Sequence, residues 1–261
     1  MSTSKHVVLI HGTWGDGDSL ADARREFEAR GYRVHTPTLR YHDLPIDEGS
    51  DKIASLSVRD YADDVVALVD SLESPPLIIG HSLGGLVAQL VAARTSHAGL
   101  IAATPAPARG IFAMYPGTLR IFGPHYLRWR PWAKPLYPVS WKIFRRYVTN
   151  RTDEGLAREL YDALVTDSGR VYCEMAFWFL DREKATAVDF AAVANPVLAI
   201  GARRDRTVNR RVARATAKRY RNGTYIEIPA SDHLVFHGEA LPVTMARIDE
   251  WMVQNGVLAD A

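Results

Sequence analysis

The stretch LIIGHSLGGLVA, residues Leu77–Ala88, carries the reading of this chain. Leu77–Gly80 is a short apolar run closed by glycine, the pattern of a fully buried strand. Leu83–Arg94 continues at helical length with almost no polar face. Between them lies Gly80-His81-Ser82-Leu83-Gly84, a G-x-S-x-G pattern. A strand that becomes a helix within one residue forces that residue into a strained backbone and lifts its side chain clear of the sheet. Two positions to either side the elements approach too closely for a β-carbon, so glycine is required. The Ser82 hydroxyl then stands at the carboxyl edge of a sheet and at a helix N-terminus. Backbone N–H groups and the helix dipole favour developing negative charge there. A plain Gly-Ser turn would carry the same letters, and the flanking strand and helix separate the two readings.

Outward from this stretch, buried runs and helical periodicity alternate. Strands are expected at His6–His11, Arg33–Leu39, Leu77–Gly80, Leu100–Ala103, Val197–Ile200 and Tyr225–Ile228. Helices are expected at Asp18–Arg30, with Gly31 at its C-terminal cap, and at Ser57–Leu72, with Ser57 at its N-terminal cap. Further helices fall at Leu83–Arg94, Val208–Tyr220 and Leu241–Met252. Such alternation implies an α/β fold of three layers, a parallel sheet covered on both faces. Residues 106–189 break the rhythm. They hold no buried-strand run and are rich in aromatic residues, with prolines in the first half and helical patterns at Thr152–Val165 and Arg170–Leu180. This reads as an insertion between two core strands, because the sheet resumes after it.

The chain has 261 residues, 47% apolar and 24% charged, with a formal net charge of +2. A sizeable core is possible, and so mild a charge argues against a nucleic-acid or membrane partner. The one cysteine, Cys173, rules out an intramolecular disulfide. With no signal-peptide pattern in MSTSKHVVLIHG, and no apolar run near the ~18 residues of a membrane helix, a cytoplasmic protein is expected.

A serine nucleophile needs a base, and the base needs an orienting carboxylate. Two histidines follow the insertion, His233 and His237. His233 comes directly after the last strand and is the better base. No carboxylate follows the strand ending near Ala103, whereas Asp205 follows VLAIG, so Asp205 is chosen partly by elimination. An ion pair with Arg203, Arg204 or Arg206 is its competing role. Asp232 adjoins His233 but should face the other way. The N–H groups of Leu83 and Thr13 are candidate oxyanion donors. Trp14 can wall the pocket, while His11 and His81 fit packing roles better. The aromatics of the insertion can line a pocket or form its own core, and both are expected, with some of Met114, Tyr115, Phe122 and Trp178 facing the serine, and Trp14 and His81 lining the pocket from the core. Residues 203–221 hold nine Lys or Arg and one acid, which reads as a solvated face.

LIHGTW (9–14), IIGHSLGG (78–85), GARRD (201–205) and SDH (231–233) together resemble the α/β-hydrolase superfamily. The resemblance covers two blocks, about 1–105 and 190–261, and residues 106–189 look like the helical cap that many members insert. It implies a mostly parallel sheet of eight strands, with Ser82 as nucleophile, His233 as base then acid, and Asp205 as orienter. A serine at the turn disfavours the members with an aspartate nucleophile. The absence of an HGGG turn disfavours one lipase and esterase branch. The expected activity is hydrolysis of a carboxylic ester, thioester or lactone with an apolar body. Lyases, C–C bond hydrolases and perhydrolases use the same residues, and a receptor can keep the fold without turnover. No metal or dinucleotide pattern is present, so no cofactor is expected. The expected partner is a small-molecule substrate, and the chain is expected to be a monomer or homodimer.

Overall fold

Each of the six buried-strand runs forms a strand. The computed structural model describes residues 6–257. β1 (His6–Ile10) leads to α1 (Ala21–Ala29) and β2 (Arg33–His35). Then come α2 (Ile46–Ile53), α3 (Val58–Asp70), β3 (Leu77–His81), α4 (Leu83–Ala92) and β4 (Gly99–Ala103). The inserted region holds α5 (Pro116–Tyr126), β5 (Pro135–Leu136), α6 (Trp141–Tyr147), α7 (Glu154–Asp162), β6 (Asp167–Ser168) and α8 (Gly169–Ala176). β7 (Val197–Ala202), α9 (Arg210–Ala217), β8 (Gly223–Ile228) and α10 (Ala240–Asn255) complete the chain.

The central sheet runs β2-β1-β3-β4-β7-β8, every neighbouring pair parallel. It has six strands among the described residues, where the resemblance implies eight. The sequence itself carries only six buried-strand runs, and the eight came from the resemblance alone. Side chains alternate between its faces. Val7, Leu9, Ile79 and Ile200 pack with α1 and α10, while Val8, Ile10, Ile78 and Leu100 pack with α3 and α4. Burial on both faces is why these strands read as unbroken apolar runs. β2 is shorter than its pattern suggests. It is an edge strand, paired only with β1, and its residues are exposed or half-buried.

The helix ends follow local chemistry. Ser57 and Asp60 form a reciprocal capping box at the start of α3. At the end of α1, Gly31 takes φ +85°, its N–H donates to Glu28 O, and the Tyr32 N–H donates to Phe27 O. That pair of bonds is a Schellman cap, and the Phe27 and Tyr32 rings meet edge-on across it. α4 is buried all round. It lies under the inserted region, whose Ile121, Phe122, Phe144, Val171 and Tyr172 join the same apolar cluster as Val8 and Leu86. The inserted region thus shares the core of the sheet. Its two-residue strands β5 and β6 pair antiparallel. Among the described residues no helix is long and apolar enough to cross a membrane.

At the β3–α4 junction the glycines sit where backbone approaches backbone. A β-carbon on Gly80 would overlap the Gly84 carbonyl, and one on Gly84 would overlap the carbonyls of Ile10 and His11. In contrast, a β-carbon on Gly123 in α5 would meet nothing within 4 Å beyond its chain neighbours, one of which is Pro124. Gly84→Ala should therefore lower stability by about 2 kcal/mol or more. Gly123→Ala, whose new β-carbon meets only the ring of Pro124, should cost no more than about 1 kcal/mol. Denaturant midpoints of the two variants measure this, and equal effects would contradict the close approach at the turn.

Candidate active site

Ser82 has φ +55° and ψ −118°, the strained conformation expected of a residue joining strand directly to helix. Its backbone is held on both sides. The Ser82 N–H donates to Ala103 O at 2.9 Å, and Ser82 O accepts from Gly85 N at 2.9 Å and Ala106 N at 2.8 Å. The hydroxyl points to the loop after β8. There His233 Nε2 lies 2.9 Å from Ser82 Oγ, and His233 Nδ1 lies 2.7 Å from Asp205 Oδ2. An ionised carboxylate only accepts, so Nδ1 carries the proton and Nε2 is free to accept from the serine. All three side chains are buried.

The loop after β7 fixes Asp205. Its Oδ1 accepts from Thr207 N at 2.7 Å and Val208 N at 2.9 Å, which leaves Oδ2 for the histidine. No arginine pairs with it among the described residues, and Arg206 donates instead to Arg146 O.

Two further histidines brace this arrangement. His81 Nε2–H donates to His233 O at 2.9 Å, and Thr104 Oγ1 donates to the same carbonyl at 3.3 Å. Burial, helped by the nearby His233, holds His81 well below the usual histidine range. His11 Nδ1–H donates to Gly12 O at 2.9 Å, and its Nε2 accepts from Leu39 N at 3.0 Å. Burial pushes His11 down to about 3, with His42 a lesser cause. His237 is also lowered by burial.

The turn after β1 brings Thr13 to the serine. Neither the Thr13 nor the Leu83 N–H has a protein acceptor among the described residues, and Leu83 occupies the first turn of α4. The inserted region clamps this turn. Val165 N donates to Trp14 O, Trp14 Nε1 donates to Leu136 O, and Trp14 N donates to the buried Asp167 at 3.4 Å. Thr13 Oγ1 meets Tyr172 OH of α8.

Two cavities open from the serine. One, about 280 Å³, is walled by Trp14, His81, Phe144, Leu160 and His237. The other, about 240 Å³, is walled by Ile111, Met114, Tyr126, Met175 and Trp178. Thr13, Ser82, Phe122 and Thr207 belong to both. Tyr115 lines neither. It neighbours Met114 in an extended segment, so the two point apart, and its ring packs on Phe112. Among the described residues no cluster of three His, Cys, Asp or Glu could hold a metal ion.

Asp232 has a role that sequence reasoning missed. As expected it points away from His233, and it reaches the inserted region. Asp232 Oδ2 accepts from Arg151 N at 2.7 Å, Thr152 N at 2.9 Å and Thr152 Oγ1 at 3.0 Å, while Oδ1 accepts from Leu234 N. Its partners lie about 80 residues back in the chain, and nothing local marks them.

The model of the alpha/beta hydrolase family matches residues 7–245. A pyrethroid hydrolase of Sphingobium wenxiniae is 35% identical over 83 residues, 32% of this chain and 29% of that protein. The match thus spans less than a third of that relative's length. The crystal structure of a pyrethroid hydrolase from Sphingobium faniae JZ-2 superposes with a TM-score of 0.69 at 22% identity, covering 96% of this chain and 98% of that one. Polyneuridine aldehyde esterase gives a TM-score of 0.70 at 14% identity, covering 95% and 99%.

Two outcomes follow from this geometry. Asp232→Asn turns an amide toward N–H donors, which should cost about 1–3 kcal/mol and lower turnover of a soluble ester roughly tenfold to a hundredfold. Wild-type melting and turnover would remove its positioning role. Second, His11 titrates near 6.5 when unfolded and about 3 when folded, so the native state binds fewer protons. Its contribution is intact above about 6.5 and is lost as pH falls toward 3. His11→Gln should flatten the stability–pH slope below about 6.5 by up to about 1.4 kcal/mol per pH unit, read from urea midpoints.

Proposed function

The chain belongs to the alpha/beta hydrolase family, and from that premise we propose that it hydrolyses carboxylic esters of apolar acids and alcohols through a covalent acyl-enzyme on Ser82. The observation that carries this reading is the buried line Ser82 Oγ–His233 Nε2–Asp205, 2.9 and 2.7 Å, where two apolar cavities meet.

The substrate carbonyl lies over Ser82, with one arm of the ester in each cavity. Ser82 Oγ attacks the carbonyl carbon while His233 Nε2 takes the hydroxyl proton. The N–H groups of Thr13 and Leu83 receive the oxyanion, worth about 3–4 kcal/mol per donor in comparable sites. Asp205 holds the imidazole in the accepting tautomer and stabilises the imidazolium. His233 then protonates the leaving alcohol. Water, activated by the same nitrogen, attacks the acyl carbon, Ser82 Oγ recovers its proton and the acid departs.

The match to proteins named pyrethroid hydrolase and polyneuridine aldehyde esterase supports esters over other acyl compounds. Thr13 and Phe122 at the cavity junction, with Trp14 in one arm and Met114 and Trp178 in the other, suit an apolar body.

Ser82→Ala should lower p-nitrophenyl ester turnover by a factor of about 10⁴ or more. An organophosphonate should add to the wild-type protein at Ser82 alone, as intact mass and peptide mapping show. Turnover that survives Ser82→Ala, or an adduct elsewhere, would overturn the mechanism.

A further inference from the structure

From Ser74 to Thr152 the sequence contains no Asp or Glu. Between Thr104 and Thr152 it contains nine Lys or Arg, Arg109 to Arg151, so the rest of the chain carries a net −7 (+2 less +9). None of the nine lies within ion-pair distance of a carboxylate among the described residues. The mild overall charge therefore conceals a segregated one.

The same region exposes large apolar side chains. In LRWRPWAK, Leu127 is 89% and Trp129 85% exposed, and Trp132 and the nearby Tyr137 also face solvent. They alternate with Arg128, Arg130 and Lys134, all exposed. The segment is built rather than loose. Arg130 takes φ +52°, Pro131 is buried beneath it, Ala133 N donates to Arg130 O at 2.9 Å, and Arg128 donates to Pro135 O at 3.2 Å. The turn holds two indoles in water that the fold had the means to bury.

α5 connects this surface to the site. Thr118, Phe122 and Tyr126, spaced four apart, line the cavity that contains Ser82. Arg120, Pro124 and Arg128 line an open groove on the other side of the helix, together with Tyr137. The Tyr126 ring packs on Phe177 at 5.4 Å, and Phe179 and Leu180, just beyond it, are exposed. Phe179 and the exposed Phe112 also line that cavity.

We propose that the 127–137 surface docks on an anionic lipid bilayer, with Leu127, Trp129 and Trp132 at the headgroup level and the unpaired cations on lipid phosphates and carboxylates. Exposed tryptophan and tyrosine among basic residues is the composition that settles at a membrane interface. A second copy of the chain is the poorer occupant, because a two-fold contact would bring the exposed Arg128, Arg130 and Lys134 of one copy against those of the other. Docking sets α5, the wall of the cavity, against the lipid in which apolar molecules dissolve. The proposal does not depend on the reaction at Ser82, since binding is read without turnover.

The test is co-sedimentation of the whole protein with phosphatidylcholine vesicles, with and without roughly one-third phosphatidylserine, at about 0.1 M salt. Binding is expected to the serine-lipid vesicles, with a blue shift of tryptophan emission, and should fall steeply as salt rises. Arg130→Glu with Lys134→Glu should weaken it by more than roughly tenfold, and Leu127→Ser with Trp129→Ser and Trp132→Ser should abolish the blue shift. Both variants should keep wild-type melting and wild-type turnover of a soluble short-chain ester. The milder Arg130→Gln with Lys134→Gln serves if charge reversal disturbs folding. No co-sedimentation, equal binding to neutral vesicles, or binding untouched by either variant overturns the proposal. So does a stable dimer that shields Trp129, or capture by single-stranded RNA in place of vesicles.

Discussion

One backbone conformation, Ser82 at φ +55°, supports the rest of the site. A non-glycine residue held there costs about 1–3 kcal/mol, so the surroundings must over-determine it. Three hydrogen bonds to its own N–H and carbonyl do so, and glycines at 80 and 84 let β1, β3 and α4 close to backbone contact. The consequence is positional. The hydroxyl leaves the sheet plane where the first turn of α4 and the turn after β1 both present N–H groups without a protein acceptor among the described residues.

The other parts come from loops, and loops need to be fastened. Those after β7 and β8 deliver Asp205 and His233, and the turn after β1 delivers Thr13. Each is tied by a buried polar group. Asp205 is fixed by two N–H groups of its own loop, the His233 carbonyl by His81, and the Trp14 N–H by Asp167. Asp232 joins the histidine loop to the inserted region through two further N–H groups. A buried carboxylate tolerates its desolvation only when hydrogen bonds satisfy it, and each of these is satisfied. The inserted region therefore does more than roof the cavities: it is bonded to all three loops that build the site, the one after β7 through Thr207 Oγ1 on Tyr147 O and Thr118 Oγ1 on Thr207 O.

This explains what the sequence could and could not disclose. β1, β3, β4 and β7 were legible because parallel strands buried on both faces leave unbroken apolar runs, whereas β2 and β8 are the half-exposed edges of the sheet. The serine turn was legible because its constraint is local, five consecutive residues. Asp205 and His233 were legible from their places after strands. α2 was not, since IDEGSDKI sets glycine, serine and two aspartates inside a helix that is held by packing at Gly49, Ser50 and Ile53. Asp167 and Asp232 were not, because their partners lie 153 and about 80 residues away. The expectation for Tyr115 misjudged a side-chain direction at the cap of α5, where neighbouring residues diverge. Composition likewise averages charge over the chain, so it could not show that the cations of one region stand without acids.

Four histidines crowd the serine, and their bonding decides which of them can do chemistry. His11 Nε2 is occupied by the Leu39 N–H, and His81 Nε2 donates its proton to the His233 carbonyl. Burial keeps His11, His81 and His237 neutral, so none places a standing positive charge beside a fourth imidazole. Among the described residues only His233 has both a nitrogen open toward Ser82 and a carboxylate behind it. A proton leaving Ser82 thus has one acceptor within reach. In so apolar a cavity an imidazolium would be costly without a counter-charge, and Asp205 at 2.7 Å supplies it. In the proposed mechanism the selectivity of the proton's path follows from burial and hydrogen bonding at the three other histidines as much as from the line that would carry it.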